Sequence, residues 1–324
     1  MKLSLAITVV AASFSTSVLA SPTIVTEENF AKAFTNMRFA AILSKSGGVN
    51  KFFTMPVPSS VPAEQFVVRM NRDTPYSVSV FDMTGDVYVT VPKTDKYATI
   101  QVVDENHESQ RMIYGPGRHK LTAKTDYAFV IYRTLEGDTR EHLIVEASSA
   151  KPFHSKKWDM KSFHILDKAG NVLFADYDQS KAFGNKESGQ TAHMNYVGAA
   201  GGWGGAMVED NIYQTSPYFK SEGCYETTFV DPKPQFFWSA TVYNVDGRMF
   251  NDVANISSEM DPVKNEDGTY TLRFGCEGMT NNIPIVEGNT TGKFNVLMRH
   301  YGPSKLVSND EPGYNSMKTI HKVK

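Results

Sequence analysis

The stretch from Gln65 to Val91 reads QFVVRMNRDTPYSVSVFDMTGDVYVTV. Three short runs rich in Val, Phe and Tyr stand out: Gln65–Met70, Tyr76–Asp82 and Val87–Val91. Thr84-Gly85-Asp86 separates the last two with turn residues. Runs of this length, broken by turn signals, predict β-strands rather than helices. The same texture continues through Ala98–Val103, Tyr127–Arg133 and His142–Glu146, with Gly115-Pro116-Gly117 as a further turn. A second group follows at Glu226–Val230, Phe236–Asn244, Tyr270–Phe274 and Lys293–His300. Asp246-Gly247 and Asp267-Gly268 are its turn dipeptides. No strand–helix alternation of the parallel kind is visible, so antiparallel pairing is expected.

Helical signals are fewer. Thr26 can cap a helix over Thr26–Ser44, with Glu27 and Glu28 in its first turn. Phe30, Phe34, Met37 and Ala41 recur at helical spacing, and Gly47-Gly48 stops the run. Pro56, Pro58 and Pro62 predict an extended linker. Ser148–Trp158 reads as a polar connection, and Ser162–Leu166 with Asn171–Ala175 as a hairpin across Lys168-Ala169-Gly170. Lys181–Gly205 reads as a helix followed by a loop. The expectation is a mainly β fold of two β-sandwich or jelly-roll-like domains, with an N-terminal helix and a mid-chain helical insert. The expected boundaries are a signal peptide at 1–20, helix and Pro-rich linker at 21–64, and an N-terminal β domain at 65–180. A helical and Gly-rich connection at 181–222, a C-terminal β domain at 223–304 and a polar tail at 305–324, its last fifteen residues trailing over the surface, complete them.

Thirty-three basic side chains against 35 acidic ones leave no basic excess, which argues against a nucleic-acid partner. A hydrophobic content of 41% is too high for a disordered chain. Lys2, the apolar run Leu3–Ala12 and the small-residue end Val18-Leu19-Ala20 read as a signal peptide cleaved after Ala20. That places the mature chain in the periplasm or outside the cell, with no membrane span. An oxidising compartment favours a Cys224–Cys276 disulfide over two buried thiols.

The densest polar run is Asn71-Arg72-Asp73-Thr74-Pro75-Tyr76-Ser77. Asn71, Arg72 and Tyr76 have the chemistry to hold a ligand, and Asp73 that of a general base. The same residues also suit a simple turn. His107, in a polar strand end, is the second acid–base candidate. Trp203 sits in the run Gly198-Ala-Ala-Gly-Gly-Trp-Gly-Gly205, as a cleft aromatic or a packing plug at a close backbone crossing. Arg299 and Tyr301 share one face of the last strand, by alternation. The glycine run is not a dinucleotide fingerprint, no nucleophile elbow is present, and the histidines lack metal-ligand spacing. No cofactor or metal is therefore expected.

Val67–Val103, with its N-x-D-T-x-Y-S segment and Val91-Pro92, resembles domain-of-unknown-function family 1254. The later motifs resemble its partner family 1214: Phe237-Trp238-Ser239, Asp246-Gly247, Asn265-Glu266-Asp267-Gly268 and Arg299-His300-Tyr301-Gly302-Pro303. The resemblance implies two β-sandwich-like domains in an exported protein and supplies no catalytic residues. Three functions stay open at this point. The first is binding of a small molecule, with anions one candidate class, between the two halves by Asn71, Arg72, Tyr76, Trp203, Arg299 and Tyr301. The second is a hydrolase with Asp73 or His107 as base. The third is an assembly subunit, a homo-oligomer paired through β edges.

Overall fold

The computed structural model describes residues 21–55, 65, 68–175 and 177–323. The expected signal peptide and most of the proline linker lie outside these residues. Among the described residues 24% are helix and 29% strand, so the fold is mixed rather than mainly β. Several antiparallel sheets are present, and the N-terminal and mid-chain helices are both found.

The first sheet has the order β1-β2-β7-β4-β5, with β1 (Phe53–Thr54), β2 (Tyr76–Asp82), β4 (Ala98–Asp104), β5 (Ile113–Tyr114) and β7 (Tyr127–Thr134). A three-stranded sheet joins β6 (Gly117–Leu121), β3 (Val87–Val91) and β8 (Ile144–Ala147). In the second half β16 (Lys293–Tyr301) lies between β12 (Phe237–Tyr243) and the strands β9 (Asn211–Thr215) and β10 (Phe219–Lys220). Strand β13 (Asn255–Ser257) pairs with β12. A four-stranded sheet holds β15 (Asn282–Ile283), β14 (Tyr270–Phe274), β11 (Tyr225–Phe229) and β17 (His321–Lys322).

Strand β7 shows why the first sheet is buried on both faces. Ala128, Val130 and Tyr132 join Val87, Val89 and Leu121 in one apolar cluster. The alternate residues Phe129 and Ile131 join the main core with the helices and the second half. A strand covered on both sides loses the simple apolar–polar alternation.

Helix α1 (Glu27–Ser46) runs close to its expected bounds and buries Phe30, Phe34, Phe39 and Ile42. Gly47 ends it with φ 75, a left-handed cap. Three expectations are corrected. Ser162–Ala175 is no hairpin: Met160–Ala175 is helix α2. Phe163 and Phe174 point inward, and Gly170 lies against Tyr196 and Ala200 of helix α3 (Ala192–Gly202). Gly170, which suggested a turn, serves close helix packing instead.

The second correction concerns Gln65–Met70. Phe66 and Val67 lie outside the described residues, and Val68-Arg69 forms a turn. Arg69 has φ 50, and its N–H donates to the Gly247 carbonyl at 2.7 Å. A bond to a distant turn overrides the local β propensity there. The third is the tail. After α4 (Lys305–Ser308) the chain docks: Met317 and Ile320 are buried and β17 pairs with β11.

Candidate ligand-binding site

Antiparallel register assembles one cavity from both halves. On β2 and β7, Tyr76 faces Arg133 and Val78 faces Ile131. On β16 and β9, Arg299 faces Tyr213 and Tyr301 faces Asn211. All eight line the same cavity, of about 100 Å³ for the centre of a water-sized sphere. Several waters or a small organic molecule fit such a volume. The end of α3 and the Gly202–Gly205 segment close it, with Phe174 and Phe183.

Three arginines reach this wall: Arg69, Arg133 and Arg299 are 6%, 7% and 3% exposed. Among the described residues none of the three has a carboxylate within ion-pairing distance; Arg72, Arg111, Arg118 and Arg273 are the arginines seen to ion-pair. Neutral groups hold the three instead. Arg69 Nη1 donates to the Gly201 carbonyl at 2.8 Å, and its guanidinium lies 4.9 Å from the Phe174 ring centre. Arg133 Nη1 donates to Gln101 Oε1 at 2.6 Å. Arg299 donates to Thr241 Oγ1 at 3.1 Å, to the Arg69 carbonyl at 2.7 Å and to the Tyr243 hydroxyl at 2.8 Å. Burial pushes the Arg69 pKa down, and the nearby Arg299 charge adds to this. Burial also opposes the Arg299 charge, but Tyr243, Tyr301 and Asp73 outweigh it and raise that pKa.

Of the sequence candidates, Asn71, Tyr76, Trp203, Arg299 and Tyr301 come together on the cavity wall. Asn71 Nδ2 donates to the Tyr301 hydroxyl at 2.7 Å, which joins the two motifs across the molecule. Trp203 Nε1 donates to Thr35 Oγ1 at 2.9 Å, so it is both wall and plug. Arg72 does not line the cavity; it lies 3.3 Å from Asp252.

Asp73 and His107 also stay off the wall. Asp73 accepts from the Ser239 hydroxyl at 2.5 Å, the Tyr301 hydroxyl at 3.0 Å and Asn255 Nδ2 at 2.8 Å. It clamps Tyr301 from behind. His107 Nδ1 lies 2.9 Å from Asn195 Oδ1, and Gly204 N donates to Nε2 at 2.9 Å. That pairing assigns a neutral ring with its proton on Nδ1. Burial lowers its pKa to about 4. The ring thus braces the glycine segment that closes the cavity.

Arg69, Arg133, Gln179, Asn211 and Tyr213 were not singled out in the sequence. The signal was available for Arg133, a lone cation at the end of the apolar run Ala128–Tyr132. For Gln179 no local pattern exists. Off the cavity wall, Cys224 and Cys276 form a disulfide with Cα atoms 4.6 Å apart, tying the start of β11 to the end of β14.

The structure is similar to the crystal structure of the VPA0106 protein from Vibrio parahaemolyticus, at TM-score 0.63 and 15% identity. That match covers 92% of this chain and 100% of the other. An uncharacterised protein from Burkholderia cenocepacia matches at TM-score 0.52 and 12% identity, over 86% of this chain and 85% of its own. These likenesses bear on the fold alone. No curated protein matches the sequence. The chain carries two families of unknown function, DUF1254 over residues 49–151 and DUF1214 over residues 214–305.

Proposed function

We propose that the protein binds a small organic anion in the cavity between its two β units, sandwich-like domains at 65–180 and 223–304. One observation carries this reading: three buried guanidiniums line the cavity without an ion-paired carboxylate among the described residues. Buried charges are normally paired, because an uncompensated one is costly. Here the ligand supplies the missing negative charge. Phe129, Ile131, Phe174 and Leu297 give it an apolar bed. A hydrolase using Asp73 or His107 gains less support, since neither side chain lines the cavity and the polar atoms of both are engaged. Export after cleavage following Ala20 fits the Cys224–Cys276 disulfide.

Calorimetric titration with phenylacetate, propionate and phosphate, against phenylacetamide as the neutral control, tests the reading. An anion binds and the amide does not. Arg133→Gln and Arg299→Gln each weaken the anion about tenfold or more, as loss of a charged hydrogen bond does. Equal binding of phenylacetate and phenylacetamide sinks the reading.

A further inference from the structure

Three polar atoms on cavity-lining residues are buried and lack a hydrogen-bond partner: Arg69 Nε, Gln179 Oε1 and Asn211 Oδ1. Gln179 and Asn211 are 7% and 4% exposed, so water does not reach them freely. Arg69 also holds a left-handed backbone at φ 50, a strained state for a long side chain and one that clusters at ligand sites. Unsatisfied buried groups of this kind are rare and call for an explanation.

One donor and two acceptors are left over. An anion satisfies the Arg69 N–H. It does nothing for the two amide oxygens, because an ionised carboxylate only accepts. With the Gln179 and Asn211 amides oriented as they stand, the ligand brings a donor of its own. An ammonium is disfavoured, since three guanidiniums surround the site and like charges repel. A neutral hydroxyl remains. It also tolerates either orientation of the Gln179 amide, because a hydroxyl both donates and accepts.

We infer that the ligand is a small hydroxycarboxylate, its carboxylate toward the arginines and its hydroxyl toward Asn211 and Gln179. This rests on the anion reading above. Asn211 faces Tyr301 across β9 and β16, and Gln179 Nε2 is anchored by Thr215 Oγ1, two residues beyond Tyr213. Both amides are thus held by the strand pair that carries Arg299.

The test is a pair of matched titrations: mandelate against phenylacetate, and lactate against propionate. The hydroxy acid of at least one pair binds about tenfold more tightly, the gain expected for pairing a buried polar group. Asn211→Leu and Gln179→Met bring the hydroxy-to-deoxy affinity ratio down toward one, and the deoxy acid reports whether the variants are folded. Equal affinity within both pairs overturns the hydroxyl and leaves the anion reading standing. Binding of none of the four acids overturns both. A ratio that persists in both variants overturns the assignment of the hydroxyl to these amides.

Discussion

Asp73 illustrates how one carboxylate can be close to a site without acting in it. It accepts three hydrogen bonds, and its charge is felt by Arg299. Asp73→Asn removes that charge at nearly constant shape. It strengthens anion binding, because less of the Arg299 field is already balanced. A general base predicts lost turnover with binding unchanged, and calorimetry distinguishes a strengthened affinity from an unchanged one. The buried histidines contribute to the acid response. Burial lowers the pKa of His107 to about 4 and that of His300 to about 3. The unfolded chain takes up these protons near pH 6.5 while the folded one does not. Their contribution is therefore intact above pH 6.5 and is lost as pH falls toward 4 and then 3. Each costs up to about 1.4 kcal/mol per pH unit in that window. Denaturant melts between pH 7 and 4 should show this slope, and His300→Gln should remove about one proton from it. An unchanged slope in that variant rules His300 out.

At the scale of elements, α2 and α3 touch through glycines. A Cβ on Gly201 would stand 1.9 Å from Phe174 Cγ. Gly201→Ala is expected to destabilise by about 3 kcal/mol or more, the upper end for an overpacked core. Because Phe174 lines the cavity, ligand affinity falls with it; urea melts and titration read the two effects separately. The disulfide acts on another pair of elements. It closes a loop of 52 residues, for which chain entropy gives about 4 kcal/mol. Cys224→Ser with Cys276→Ser should lower stability by up to that amount and leave the cavity's arginines in place. Most strands were legible from Val-, Tyr- and Phe-rich runs bounded by turns, and Tyr270–Phe274 appears at its expected bounds. Helix α2 was not, because Gly170 looks the same in a turn as at a helix crossing. The cavity was legible where polar motifs end strands, as at Asn71–Tyr76 and Arg299–Tyr301. Arg69 was hidden, because its orientation comes from Gly247 and Gly201, far away in sequence.

For the molecule as a whole, the DUF1254 and DUF1214 regions both contribute to one cavity, together with the segment between them. Arg133 and Tyr76 come from the first, Arg299 and Tyr301 from the second. A ligand at a hundred times its dissociation constant therefore stabilises one shared structure, by about 2.7 kcal/mol. A single thermal transition should move up as one, by roughly 5 °C for a chain of this size. Two transitions, of which only one responds, contradict a shared site.

The bond from Arg299 to the Arg69 carbonyl spans 230 positions of the chain. Loop closure over that distance comes late, after local hairpins have formed. On the ribosome, Arg299 on β16 is made 230 positions after Arg69. The arginine cluster thus has no nascent form: each half is synthesised without the other, and the cavity wall is completed only by β16.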